Sequence, residues 1–143
     1  TLLATREVMV QPFLASIKGY GERSLVFIDG ELTHAFRKRA AFDQHQDTLG
    51  EVPIATTPSE AALARSILKH SAELTEHADP SAFLFARVDL VRDNHGVARL
   101  MELELVEPRL RLDTAPWALK RLVRAINTRY TSALPIQKAL TKV

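Results

Sequence analysis

The 143-residue chain has no cysteine, only five glycines and one tryptophan, and no apolar run near the ~20 residues of a membrane span. The missing thiols exclude a disulfide scaffold and thiolate metal sites, and they suit a reducing compartment, so a cytoplasmic protein is expected. The first residues, TLLATREVMV, lack the basic-then-apolar order of a secretion signal, and no initiator methionine precedes them. A piece of a longer protein is therefore expected. Acids are missing from one region only. From Thr114 to Val143 there are Lys120, Arg121, Arg124, Arg129, Lys138 and Lys142, and no Asp or Glu.

The rest of the composition is ordinary for a globular chain: 46% apolar residues, 25% charged and a formal charge of +2. The length suits one domain with a real core. Residues 7–14, EVMVQPFL, alternate and are β-rich enough to predict a strand, with Pro12 placing it at an edge or an end. Asp29-Gly30 between two apolar runs predicts a hairpin with strands over 24–29 and 31–38. Residues 40–56 show no period and read as a mobile loop. Thr57, Pro58 and Glu60 write out a helix start: an N-cap, a proline at the first helical position and an acid three residues after the cap. Leu63, Ile67 and Leu74 fall on one stripe of that helix.

Two further strands, AFLFARVDLV and ARLMELELV, flank the turn RDNHGV. A last helix over about 115–130 places Leu119, Leu122, Val123 and Ile126 on its apolar stripe, with Trp117 as a packing anchor. The order βββ–α–ββ–α, built on hairpins, predicts an α+β fold with a mostly antiparallel sheet and two helices.

The acids of LMELELVEP, residues 100–108, carry the functional question. Glutamates two residues apart on a strand share a face and repel. Either that face is solvent or it holds a cation. A two-residue turn at His95-Gly96 would set Asp89 opposite Glu102 and Arg87 opposite Glu104. The four would then form one polar patch, with Val88, Leu90, Leu103 and Leu105 on the other face. Three hard oxygen donors on a rigid hairpin suit Mg²⁺. Glu107, next to Pro108, leaves the strand. The five histidines share no metal-ligand spacing; His34 reads as structural and His95 as exposed. No serine has an evident His–acid partner, so an activated side-chain nucleophile is not expected.

Together, VMVQPFLASIKGYGERSLVFIDGELTHAFRKRA and ARVDLVRDNHGVARLMELELVEP resemble the C-terminal half of the ATP-grasp ligase superfamily. The nearest likeness is to bacterial glutathione synthetase and to the ligase of D-cycloserine biosynthesis. The resemblance covers roughly residues 7–39 and 82–112, and no single motif in it is decisive. It implies an adenine hinge at Gln11, Pro12, Phe13 and Leu14, with the backbone of Gln11 and Leu14 reading the base edge. It implies that Glu22 binds the ribose hydroxyls, and that Lys38, or Arg37 or Arg39 in its stead, reaches phosphate. It further implies that Asp89, Glu102 and Glu104 hold Mg²⁺ or Mn²⁺, with Arg87 balancing charge on the phosphates. The sequence departs from the family in three places: Glu104 stands where many relatives have Asn, Ser24 where glutathione synthetase has Arg, and loop 40–56 lacks a Gly-Gly element. The family's N-terminal half, with its phosphate-clamping lysines, is not in this sequence.

The implied partners are ATP, a small carboxylate and an amine, together with the missing half of the enzyme. No membrane is expected, nucleic acid is not favoured, and homo-oligomerisation stays open. A second reading is a non-catalytic α+β module that binds an acidic partner through its basic last helix.

Overall fold

The computed structural model describes residues 5–39, 50–77 and 79–140, except the side chains of 133–140. Five strands form one antiparallel sheet in the order β3-β2-β1-β4-β5. They are β1 (Glu22–Ile28), β2 (Glu31–Lys38), β3 (Val52–Ile54), β4 (Phe85–Arg92) and β5 (Ala98–Glu104). Helix α1 (Pro58–Leu74) separates β3 from β4, and α2 (Pro116–Leu140) ends the fold. This is the expected α+β class. No helix of the described residues is long and apolar enough to cross a membrane.

The β1–β2 hairpin turns at Asp29 and Gly30, both with positive φ (53° and 75°), as the primed turns that match strand twist require. A side chain on Gly30 would also meet the backbone of Ser81 at 3.0 Å. Helix α1 starts as its sequence dictates. The Thr57 side chain accepts from the Glu60 amide at 3.2 Å, and a Glu60 carboxylate oxygen accepts from the Thr57 amide at 2.9 Å.

The core has two sides. Ala61, Ala64, Leu68 and Ala72 of α1 are buried on that helix, and Ala64 and Leu68 pack against Leu25, Phe27, Ala35, Ala86, Val88 and Leu90. On the opposite face Val26, Ile28 and Phe36 lie beneath Phe85, Leu110 and Leu122. The second layer covers only the hairpin end of that face. Its other end carries polar residues.

Several expectations need correction. Residues 7–14 pair with no strand; they run irregularly into a 3₁₀ turn at Ala15–Lys18. Pro12 has no amide hydrogen to give a ladder, and the turn follows directly after Leu14. Of the expected loop 40–56, residues 40–49 lie outside the described residues. Within the remainder Val52–Ile54 pairs with Ala35–Arg37 as the edge strand β3. A three-residue strand is too short to show a period. The expected order of elements thus survives with a different third strand.

On α1 Leu63 and Ile67 of the expected stripe pack against the core, partly buried. Leu74 is exposed, and the alanines make the close contact to the sheet. Helix α2 runs to Leu140, ten residues past the expected end, and seats Ala118, Leu122 and Ala125 inward, while Leu119, Val123 and Ile126 stay about half exposed. Trp117 is largely exposed too, although its indole N–H reaches the Thr33 carbonyl at 3.2 Å.

Leu68 is fully buried between α1 and the sheet. Leu68→Ala is expected to lower unfolding free energy by about 2–5 kcal/mol, measured by urea denaturation. A loss below about 1 kcal/mol would contradict this packing of α1.

Candidate functional site

Strands β4 and β5 bring Arg87 opposite Glu104 and Asp89 opposite Glu102, as the sequence suggests, but by another route. The turn is one residue longer than expected. Arg92 faces Ala98, and the Asp93 amide donates to the Val97 carbonyl, which leaves Asn94, His95 and Gly96 as the loop. A β-bulge comes next: Leu90 faces Leu100 while Asp89 faces Glu102, so Met101 is the extra residue. The longer turn shifts the ladder by one, and the bulge restores it. Bulges re-aim side chains in this way next to functional sites.

Strand β1 sets Ser24 opposite Asp89, and β2 sets Lys38 opposite Glu22. One sheet face therefore gathers Glu22, Lys38, Arg87, Asp89, Glu102 and Glu104. Asp89 is fully buried at its centre. Arg87 Nε donates to both of its oxygens, at 2.9 and 3.1 Å, and Arg87 Nη2 donates at 2.7 Å. Lys38 Nζ donates to Asp89 Oδ2 at 2.8 Å and to Glu22 Oε1 at 2.6 Å. Arg87 also donates to Glu104, and lies 3.8 Å from Glu102 Oε2.

Burial pushes the Asp89 carboxyl up, but hydrogen bonds from Arg87 and Lys38 outweigh it and hold the group below the usual aspartate range. Burial would lower Lys38; its bonds to Asp89 and Glu22 outweigh that and raise it. Burial raises Glu22, and the nearby Asp89 charge raises it further against the pull of Lys38.

Four carboxylates against two cations leave a formal balance of −2 on this face. Asp89, Glu102 and Glu104 each offer an oxygen, and those three atoms lie within 4.8 Å of one another. Hard, anionic oxygen donors in that number fit a divalent cation of the Mg²⁺ or Mn²⁺ type. Glu102, with 55% of its side chain exposed, is the most open of the three.

Beside this cluster lies a cleft of about 510 Å³. Gln11, Pro12, Phe13 and Leu14 form one wall; Val91, Leu100 and Met101 of the hairpin form the other. Met101, the bulged residue, is the covalent neighbour of Glu102, so the cleft wall and the acid cluster share one strand. Glu22 does not line the cleft; it stands in the Lys38–Asp89 group. Among the described residues, Arg37 and Arg39 share no ion pair with that group. Sequence reasoning missed the hairpin wall, although an apolar Leu100-Met101 pair directly before Glu102 was its signal. It also missed the cluster of Tyr20, Arg23, Glu60 and Arg92 behind the cleft.

No protein-family model matches the chain. Over 132 residues it is 30% identical to the cycloserine biosynthesis protein DcsG of Streptomyces lavendulae, covering 85% of this chain and 42% of that protein. The crystal structure of D-cycloserine synthetase DcsG aligns over 83% of this chain and 41% of its own, with a TM-score of 0.71 at 30% identity. The D-alanine–D-alanine ligase of Bacillus anthracis complexed with ATP aligns over 82% of this chain and 39% of its own, with a TM-score of 0.50 at 15% identity, a likeness of fold alone. The chain thus spans about two fifths of the length of the relatives it matches.

Linkage fixes how the cluster responds to acid. The folded Asp89 titrates below the ordinary value of about 3.9, so its contribution is complete above that value and is lost as pH falls through the lower one. Glu22, being raised, acts in the opposite sense. Between about pH 5 and about pH 3, the urea midpoint is expected to fall less steeply in Asp89→Asn than in the parent chain. At neutral pH the variant should be the less stable, because Arg87 and Lys38 lose their buried anion. Equal acid slopes would show that Asp89 is not held in this way.

Proposed function

From the homology of this chain to the C-terminal part of an ATP-grasp ligase, we propose that it is the nucleotide- and metal-binding half of an ATP-dependent carboxylate–amine ligase. The observation that carries this reading is the continuity of an apolar cleft with an acid cluster through adjacent residues, Met101 and Glu102. An apolar cleft suits a purine base, and Gln11 and Leu14 line it, with the backbone of both as the candidate for reading the base edge. Glu22 is the candidate for the ribose hydroxyls.

Asp89, Glu102 and Glu104 would hold Mg²⁺ or Mn²⁺, which when bound neutralises phosphate charge and aligns the reacting oxygens. Among the described residues, Lys38 and Arg87 would be the cations that stabilise charge developing on a transferring phosphoryl group. The reaction class is phosphorylation of a small carboxylate to an acyl phosphate, and then displacement of phosphate by an amine. Such chemistry needs positioned charge rather than a side-chain nucleophile. The remainder of the enzyme would supply the other phosphate contacts and most of the substrate contacts.

A second reading draws on α2. Its half-exposed Leu119, Val123, Ile126 and Tyr130 run beside Lys120 and Arg124, a surface suited to an acidic partner. One titration separates the two.

Calorimetry with ADP is expected to show binding that depends on Mg²⁺ or Mn²⁺. Glu102→Gln should weaken it by more than about tenfold at an unchanged melting temperature, since among the described residues the Glu102 carboxylate makes only a long ionic contact. A folded parent chain that gives no heat at millimolar nucleotide would overturn the nucleotide reading and leave the partner-binding one.

A further inference from the structure

The hinge wall of the cleft has no ladder of its own: residues 7–14 are irregular, and Phe13 is more than half exposed. The turn on its C-terminal side sets its position. That 3₁₀ turn begins with Ile17 N–H on the Leu14 carbonyl at 3.2 Å, and Ser16 Oγ donates to the backbone carbonyl of Arg92, the last residue of β4. Tyr20 then closes the connection. The Arg92 guanidinium lies 4.0 Å from the centre of its ring, and the Arg23 guanidinium lies 5.4 Å from it. Its hydroxyl donates to Glu60 Oε1 at 2.7 Å.

Glu60 is a buried anchor for that hydroxyl. It is 2% exposed, paired with Arg23 at 2.8 Å, and bonded to the Thr57 amide in the α1 capping box. Arg23 in turn donates to the Ala55 carbonyl at 2.6 Å, just after β3. Val91 and Asp93, the neighbours of Arg92, line the opposite wall of the cleft. One ring therefore ties the hinge-side turn, the end of β4 and the start of α1 together.

We infer that Tyr20, Arg92 and Glu60 are positioning residues that fix the gap between the two walls of the nucleoside cleft. The inference rests on the nucleotide reading above and adds residues that touch neither the cleft nor the acid cluster. Its physical content is a separation of functions. Loosening this clamp lets the hinge wall move against β4, which weakens the contacts to the base. The acid cluster, held by the β1–β4–β5 ladder and by Arg87 and Lys38, does not depend on it. A cation over an aromatic face is directional, and a buried carboxylate fixes the hydroxyl end, so the ring has little freedom to shift.

The test compares two probes on the same variants: ADP with Mn²⁺ by calorimetry, and Mn²⁺ alone by the spectrum of the free ion. Tyr20→Leu and Arg92→Gln are expected to weaken ADP about tenfold while Mn²⁺ affinity stays within about twofold. Arg92→Lys, which restores the cation, should recover part of the loss, and Tyr20→Phe should fall between parent and Tyr20→Leu. A parallel loss of both probes would mean general loosening and overturn the inference, as would unchanged ADP affinity in Tyr20→Leu and Arg92→Gln. A parent chain that binds no ADP removes the nucleotide reading and this inference together, an outcome distinct from either.

Discussion

The structure turns on one buried carboxylate. Asp89 sits on β4, between β1 and β5, with no exposure to solvent, and an isolated charge there would cost several kcal/mol. Arg87 and Lys38 make it tenable by occupying both of its oxygens. That requirement has consequences outward. Arg87 must come from the same strand two residues earlier, Lys38 must reach across from β2, and Glu22 must accept a second hydrogen bond from the Lys38 ammonium. Glu104 then balances Arg87 from β5. Once the central carboxylate is fixed, the identity and register of four strands around it are constrained.

That arrangement explains why much of the site was legible in the sequence. Alternation on two strands is enough to place Arg87, Asp89, Glu102 and Glu104 on one face, and the polar patch is where alternation puts it. The route was not legible. A three-residue loop and a one-residue bulge cancel, so a hairpin drawn with neither reaches the same pairing at the acids. The cancellation has a purpose that period-two reasoning does not see: the bulged Met101 becomes part of the cleft wall, while Glu102 stays with Asp89. The α1 start was equally legible, because its capping box is written in four consecutive residues and needs no tertiary partner.

Tertiary context decided the rest. Residues 7–14 have the composition of a strand but pair with none, and they become the wall of a cleft. Val52–Ile54 has no recognisable pattern and becomes a strand because β2 offers an edge. On α2 the apolar residues outnumber those that one face of the sheet can cover. The choice of Ala118, Leu122 and Ala125 as the inward set reflects the close approach that alanine permits, and that is invisible before the helix is docked. The Tyr20 clamp joins residues up to 72 positions apart and leaves no local signature.

The same buried carboxylate bears on how a cation would meet the site. Both oxygens of Asp89 are already engaged, whereas Glu102 is half open and Glu104 partly so. Under the proposed reading, Glu102 and Glu104 would be the ligands open to solvent, and Asp89 could join them only if Lys38 gave way. Lys38 is the cation free to do so: it is held through a flexible stem and about a quarter exposed, whereas Arg87 is nearly buried and forked onto Asp89 by three bonds. Exchange of Lys38 for another cation would keep Asp89 neutralised, so the fold would not have to tolerate a bare buried charge. A lysine displaced in that exchange would turn toward the anionic side of the site, where the phosphates of a nucleotide would need it. The contacts that hold the fold around Asp89 and those that the proposed site would use are, in this chain, the same few.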